Sequence, residues 1–593
     1  MVPIDLTDEQ RVAVRAPGNT WVIACPGSGK TRVALAKILR ESAYLEPQKG
    51  SVLALSFSVN AKDELASRVS AHAGPSSRQR VFVATIHGFC LGEILIPFGS
   101  YAGQGELQLA LEGGTPYENA VAETAEKLNI TTARVKATLE YRRRAPDGRT
   151  FKGDTESTAR EHEIATTFWA LLLNSRYVDY PNALYVTLEI LRANKWIREG
   201  IAARYPVVVV DEYQDCTDIQ VAVVEQLVAS GSSAFLVGDL FQCVFGFAGA
   251  DVTTLRAFAD RVGAARLTLH GTHRCPTRVI EVAERVFSRG MEAVGEASNR
   301  VSRVFVDHSS SPLPAIRRLV ELCGQNGIAA DEVAFVCSAN YRIEDIVSAL
   351  NGAGTPAAFG RSRVSENDWY GQLIESYLLA MPPRSERDLL RFTEAANEVV
   401  ARFAIGRKAT TALKRLVAGA VIETVLSTEA LPDEELGRIA LHMNESIMTA
   451  LQNSQALQRK DLVEVERRLS EARNIFGAKA EARRERNAVV DALRPEGKVR
   501  GYTYQGIKGL QFRGVAVVDV ARNLLPHRTL GDLWGDARRL YVGITRSQGF
   551  LAVHAPAGWD QSMFYPIIMG QASSQEVIGV PLPDSLRTLD VIV

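Results

Sequence analysis

The run Ala24-Cys25-Pro26-Gly27-Ser28-Gly29-Lys30-Thr31 has the residue types of a phosphate cradle. An apolar Trp21-Val22-Ile23 leads into it, and Arg32 and a helix-like Val33-Ala34-Leu35-Ala36-Lys37 follow. Strand, glycine-containing loop and helix are the context such a loop needs. Gly27 and Gly29 let backbone N–H groups close around phosphate oxygens, and the helix N-terminus adds a favourable dipole. Lys30 has the reach for the β- and γ-phosphates, and Thr31 offers a hydroxyl to Mg²⁺. A chance glycine turn before a helix is the plainer reading, and Lys-Thr directly after the loop argues against it. Further on, Pro206-Val207-Val208-Val209-Val210 delivers Asp211-Glu212 to a strand end. Asp211 is placed to bind Mg²⁺, and Glu212 to orient and deprotonate an attacking water. An acidic turn after a strand is common by itself. Paired with the loop, it reads as an Mg²⁺-dependent nucleoside triphosphatase.

These groups need a scaffold. Ser51–Phe57, Val81–Ala84, Pro206–Val210 and Ala234–Gly238 read as buried strands of a parallel sheet. Arg266–His270, Val333–Ser338, Val515–Val520 and Phe550–His554 form a second such set. The expected fold is α/β, with two doubly wound parallel-sheet cores, each interrupted by a mainly helical insert. The expected partition is a first core over 1–100 and 196–265 with an insert over 101–195. A second core follows over 266–379 and 496–575, with an insert over 380–495 and a tail over 576–593. The first insert shows no strong strand signal and carries Arg142-Arg143-Arg144, then Arg149 and Lys152. That cluster is either a solvated face or a patch contacting duplex. In the second insert Leu462, Val465, Leu469, Ala472 and Phe476 recur at three and four residues, which predicts an amphipathic helix.

Composition excludes several classes. The 593 residues are 46% hydrophobic and 23% charged, as in an ordinary globular chain. No apolar run approaches the ~18 residues of a membrane span, and no basic segment precedes an apolar one at the start, so the chain reads as cytoplasmic. Seven scattered cysteines without a CxxC pair fit reduced thiols. Lys and Arg number 68, as do Asp and Glu, so a phosphate-backbone binder of this charge must rely on local basic spots and on stacking.

Asp211-Glu212-Tyr213-Gln214-Asp215 resembles the DExQD signature of the UvrD/Rep family of superfamily 1 DNA helicases, whose cores are RecA-like. Other segments resemble that family's motifs in order: Leu6-Thr7-Asp8-Glu9-Gln10, Ser56-Phe57-Ser58, Thr85-Ile86-His87-Gly88-Phe89-Cys90, the stretch from Gly238 to Ala250, Thr272-His273-Arg274, the stretch from Thr503 to Phe512, and Tyr541-Val542-Gly543-Ile544-Thr545-Arg546. The resemblance covers most of residues 1–370 and 498–556, and the inserts match only by position and length.

The resemblance implies roles. ATP would be held by Gln10 at the adenine edge, by the loop from Ala24 to Arg32 and by Gln511 near the ribose, with His273, where the family has a tyrosine, either stacking on the base or simply packing. Lys30, Glu212, Gln242, Arg274 and Arg546 would form the catalytic set, the two arginines acting as fingers and Gln242 as a γ-phosphate sensor. Phe57, Phe245 and Phe247 would stack bases, with core packing as the alternative for each. Thr85, His87 and Gln505 would add polar strand contacts.

Four departures stand out: Ala248 in place of an arginine, Gln505 of a histidine, Gln511 of a glutamate, and Arg539 of an apolar residue. The implied function is an ATP-dependent 3′→5′ single-stranded DNA translocase or helicase, acting at single-strand and junction DNA in repair, replication or defence against foreign DNA. The alternatives are the helicase subunit of an antiphage system with a separate nuclease or loading partner, and an ATP-controlled nucleic-acid clamp with weak unwinding.

Overall fold

In the computed structural model the structure describes residues 4–45, 50–102, 107–110, 112, 115–140, 142–152, 155–156, 158–243, 252–360, 369–380, 496–518, 520, 533–556 and 567–570, with isolated positions between 392 and 473. Two six-stranded sheets, every pairing parallel, organise the chain. The first runs in the order Ala265–Leu269, Thr20–Ala24, Ser233–Gly238, Val207–Val210, Val52–Ser56, Val81–Thr85. The second runs Arg303–Asp307, Ser547–His554, Phe512–Val517, Val333–Cys337, Val499–Thr503, Ala357–Phe359.

The period-two alternation of these strands divides their side chains between two cores. Trp21, Ile23, Leu53, Leu55, Val208, Val210 and Leu236 face one way; Val22, Ala24, Val52, Ala54, Val209 and Phe235 face the other. The first group belongs to an apolar cluster that also holds Val336, Val515, Val517, Leu551 and Val553 of the second sheet. One hydrophobic core is therefore shared across the two sheets. Burial on both faces is why these strands read as unbroken Val, Leu and Ile runs.

One strand moves. The segment expected to open the second sheet, Arg266–His270, instead forms Ala265–Leu269 on the edge of the first, in register Thr20↔Ala265 to Ala24↔Leu269. Its alternating Arg266-Leu267-Thr268-Leu269 suits an edge position with one wet face, and nothing in its own residues names its neighbour. The strands Arg303–Asp307, Ala357–Phe359 and Val499–Thr503 complete the second sheet without having been expected.

The first insert is not wholly helical. Around the helices Thr115–Leu128, Thr132–Leu139, Ala159–Asn174 and Tyr180–Ala193 lie an antiparallel ribbon, Arg142–Arg144 with Thr150–Lys152 and Thr155–Glu156, and a short parallel pair, Gln108–Leu109 with Tyr177–Val178. The arginine cluster is neither a solvated face nor a duplex patch, because its charges are used internally. Arg142 is buried, paired with Glu161 at 2.8 Å, and its Nε donates to the Thr138 carbonyl. Arg143 pairs with Asp218 of the first core. The Arg144 guanidinium lies 5.0 Å from the Trp169 ring and 4.6 Å from that of Tyr185. Arg142→Ala is expected to destabilise the chain by about 2–3 kcal/mol in urea unfolding, below the cost of breaking a fully buried pair because Glu161 keeps some water. A loss under about 0.5 kcal/mol, the scale of an exposed pair, would contradict this reading.

Most of the second insert and all of the tail lie outside the described residues. At the described positions of the expected amphipathic helix, Leu469 is buried and its carbonyl accepts from Asn444 Nδ2 at 3.0 Å, whereas Val463, Glu466 and Arg467 are exposed. All seven cysteines are buried as thiols. Among the described residues no helix is long and apolar enough to cross a membrane.

Candidate nucleotide site

The strands Thr20–Ala24, Val207–Val210 and Ser233–Gly238 are neighbours, so their carboxyl ends gather the phosphate loop, Asp211 and Asp239 at one sheet edge. The loop turns through Gly27 and Gly29, with φ of +77° and +81°, and Gly29 is the N-cap of the helix Lys30–Tyr44. At Gly27 the need for glycine is steric as well. A Cβ there would stand 2.4 Å from Arg274 Cβ and 2.6 Å from Thr272 Oγ1. The Thr272-His273-Arg274 segment thus rests directly on the loop, and the His273 N–H donates to the Gly27 carbonyl at 3.0 Å.

Gln10 is buried between two backbones: Oε1 accepts from the Thr7 N–H at 3.0 Å within a capping box, and Nε2 donates to the Ser28 carbonyl at 2.7 Å. Arg32 Nη1 donates to the Asp5 carbonyl at 3.3 Å. Pro26 and Ser28 are buried, and Ser28 Oγ donates to the Cys25 carbonyl. Burial pushes the Cys25 thiol up to about 12, so it takes no nucleophilic part at neutral pH. Burial, with Arg32 second, lowers the basicity of His273 and favours the neutral ring.

Glu212 takes a left-handed conformation, φ +54°, that costs a non-glycine residue ~1–2 kcal/mol. The turn keeps both carboxylates at the strand end, and the Glu212 N–H donates to Asp211 Oδ1 at 3.0 Å. Burial raises the Asp211 carboxyl, with Glu212 adding to the rise, while a hydrogen bond from Thr31 and the charge of Lys30 oppose it. Burial works against ionisation of Glu212 too, yet Lys30, Lys508, the Gln214 amide and Arg546 together hold its carboxyl below the usual range. A hydroxyl and a carboxylate already in contact fit a small hard cation that takes its other ligands from phosphate and water. Among the described residues no three His, Cys, Asp or Glu side chains could hold a metal by themselves.

A polar chain then runs from sheet to sheet. The Gln214 amide donates to Glu212, and its Oε1 accepts from the Asp239 N–H at 2.9 Å. Lys508 Nζ lies 2.5 and 2.6 Å from the two Asp215 oxygens and 3.0 Å from the Gln242 carbonyl. Arg546 Nη2 donates to Gln242 Oε1 at 2.7 Å. Arg274 donates to Gln511 Oε1 at 3.1 Å and to the Thr545 carbonyl at 3.3 Å. Sequence reasoning missed Gln214, Asp215, Asp239 and Lys508 as members of this chain, and Arg289, which pairs with Asp239 at 3.0 Å. Four of them lie inside quoted motifs, so position was available as a signal; Arg289 had none.

Residues 6–263 match the UvrD/REP helicase N-terminal domain. Over that span the chain carries the N-terminal domain of the UvrD/Rep helicase family. The ATP-dependent DNA helicase UvrD2 of Mycobacterium tuberculosis is 26% identical, over 92% of this chain and 78% of that protein. The ATP-dependent DNA helicase srs2 of Schizosaccharomyces pombe is 23% identical, over 92% and 71% respectively. DNA helicase II of Escherichia coli is 22% identical, over 91% and 83%.

The expected strand-contacting residues fall partly within view. Thr85 caps the turn Ile86–Phe89, its hydroxyl accepting from the Gly88 N–H at 3.0 Å. His87 meets Tyr180 of the first insert edge-on, with ring centroids 5.8 Å apart, and burial lowers its pKa to about 4. Tyr180 is 44% exposed and was not singled out from the sequence. Phe57 is half-buried just beyond Val52–Ser56, and Gln505 is half-buried just beyond Val499–Thr503. Phe245, Phe247 and Ala248 lie outside the described residues. Arg539, the departure in the last motif, is buried and paired with Asp536 one helical turn away.

Proposed function

We propose that this chain is an ATP-driven motor that moves 3′→5′ along single-stranded DNA and opens duplex at junctions, serving repair, replication or defence against foreign DNA in the cytoplasm. The observation that carries the reading is the Arg546–Gln242 bond, which joins the two sheets beside the phosphate loop and the acidic pair. A γ-phosphate entering there competes for both partners, so its arrival and loss change how the sheets are held. Lys30 and the loop amides bind the phosphates, Glu212 orients water, and Arg274 and Arg546 meet charge that develops on the phosphoryl group. Mg²⁺ between Thr31, Asp211 and phosphate oxygens would supply charge neutralisation. Phe57, and His87 with Tyr180 beside it, offer aromatic surface for bases, and stacking grips a strand without sequence preference. Such a grip suits a chain with equal numbers of acidic and basic residues.

Translocation along end-labelled oligonucleotides of increasing length tests this. ATP should release protein from a 5′-labelled strand after a lag that grows with length. A lag seen with 3′ labels would reverse the polarity. Release independent of length would make the chain a clamp rather than a motor, and reliance on a nuclease or loader would appear as unwinding restored by that added partner.

A further inference from the structure

Arg289 belongs to none of the motifs, yet it lies at the heart of the cleft. It follows the helix Thr277–Val286, which packs on the helix Leu533–Ile544 that leads into the second sheet's Ser547–His554. Its side chain is 6% exposed. Nη1 pairs with Asp239 Oδ1 at 3.0 Å, Nη2 donates to the Ala24 carbonyl at 3.3 Å, and the guanidinium lies 4.2 Å from the centre of the Phe241 ring. Its backbone is held as firmly. The N–H groups of Arg289, Gly290 and Met291 all donate to the Glu284 carboxylate, at 2.7, 3.0 and 3.0 Å.

The partner of Arg289 is what matters. Asp239 is fully buried, and its Oδ2 accepts from Gln242 Nε2 at 2.8 Å. A charged carboxylate accepts and never donates, so it demands the NH₂ end of that amide. The oxygen end is then left for Arg546, which can only donate. A buried carboxylate calls for a cation beside it. Arg289 is that cation.

We propose that Arg289 is a positioning residue for the γ-phosphate sensor: through Asp239 it fixes which end of the Gln242 amide faces Arg546. The inference rests on the proposed role of Gln242. It also ties the sensor to the phosphate loop, since the same guanidinium holds Ala24 and Asp239 at once. Without that charge either end of the amide can face Arg546, and one of the two arrangements sets donor against donor.

The test compares Arg289→Met, Arg289→Lys, Asp239→Asn with Arg289→Met, and Gln242→Ala in the full chain, by ATP turnover, fluorescent-nucleotide binding and thermal melting. Arg289→Met should lower kcat by about 10- to 100-fold, the scale of a displaced catalytic group, with the nucleotide Kd changed by less than about threefold. The double variant deletes both charges and should regain melting temperature, but kcat should stay low because an amide at 239 no longer selects one end of Gln242. Arg289→Lys keeps the cation and should recover most of kcat. Restored turnover in the double variant would reduce Arg289 to a structural ion pair and overturn the inference. So would an Arg289→Lys enzyme as slow as Arg289→Met. Normal turnover in Gln242→Ala would instead remove the sensor reading itself. Slow Gln242→Ala beside normal Arg289→Met would leave that reading standing and sink only the positioning role.

Discussion

Glutamine in place of Glu212 is expected to slow ATP turnover by roughly 10²- to 10⁴-fold, the range for a lost general base, while ATP continues to bind. The substitution keeps the shape and the left-handed backbone of the residue and removes only its charge. That charge is held against burial by Lys30, Lys508, the Gln214 amide and Arg546. A carboxylate so strongly supported is a weak base, which limits what it does to water before the phosphates arrive. Bound ATP changes the balance, because its γ-phosphate draws on Lys30 and Arg546 and leaves Glu212 with less of their pull. Basicity therefore rises when the water is in place. Glutamine can still orient that water but cannot take its proton. Rapid-quench turnover and fluorescent-nucleotide binding measure the two halves separately. A Glu212→Gln chain that hydrolyses ATP within about threefold of the parent would show that the proton goes elsewhere.

The local chemistry of this site was readable from spacing, whereas its partners were not. Gly27, Gly29 and Lys30 declare a phosphate loop because the loop needs those residues in that order whatever surrounds it. Val207–Val210 declares a buried strand because both of its faces are covered. Arg266–Leu269 is different: an alternating strand shows that it has a wet side but not which sheet it borders, and the first sheet claimed it. Arg142-Arg143-Arg144 looks like a cationic patch in one dimension. In three it is spent on Glu161, on Asp218 and on the rings of Trp169 and Tyr185, partners from 19 to 75 positions away. The same limit hid Lys508 and Asp215, which are 293 positions apart and 2.5 Å from each other. Charge pairing at long range leaves no periodic mark. This is why the acidic pair could be placed at its strand end from sequence while Lys508, one of the cations that hold Glu212 ionised, could not.

Alanine at Arg546 is expected to lower kcat by about 10³-fold or more, the scale of an arginine finger, with a much smaller change in ATP affinity. Arg546 is buried, with Nη2 on Gln242 and Nε on the Val542 carbonyl at 3.0 Å, so its guanidinium is aimed before substrate arrives. Burial, with the neighbouring Arg274 guanidinium second, makes it less basic than a free arginine. Two cations this close are costly together until an anion lies between them, and the anion that gains most is a phosphoryl group accumulating charge in transit. The benefit thus falls on the transition state more than on bound ATP, which is why kcat suffers rather than Kd. Lysine should not restore the rate, because a single ammonium cannot bridge Gln242 and a phosphate oxygen with the planar fork of arginine. Arg274 should matter less. It is held outward by Gln511 and the Thr545 carbonyl and must leave both to reach phosphate, so part of what it gains there is offset by what it gives up. Steady-state turnover with saturating single-stranded DNA ranks the variants. If Arg274→Ala proved slower than Arg546→Ala, the finger that meets the γ-phosphate would be the one on the loop side of the cleft, and the Gln242–Arg546 bond would be a strut between the sheets rather than part of the catalytic apparatus.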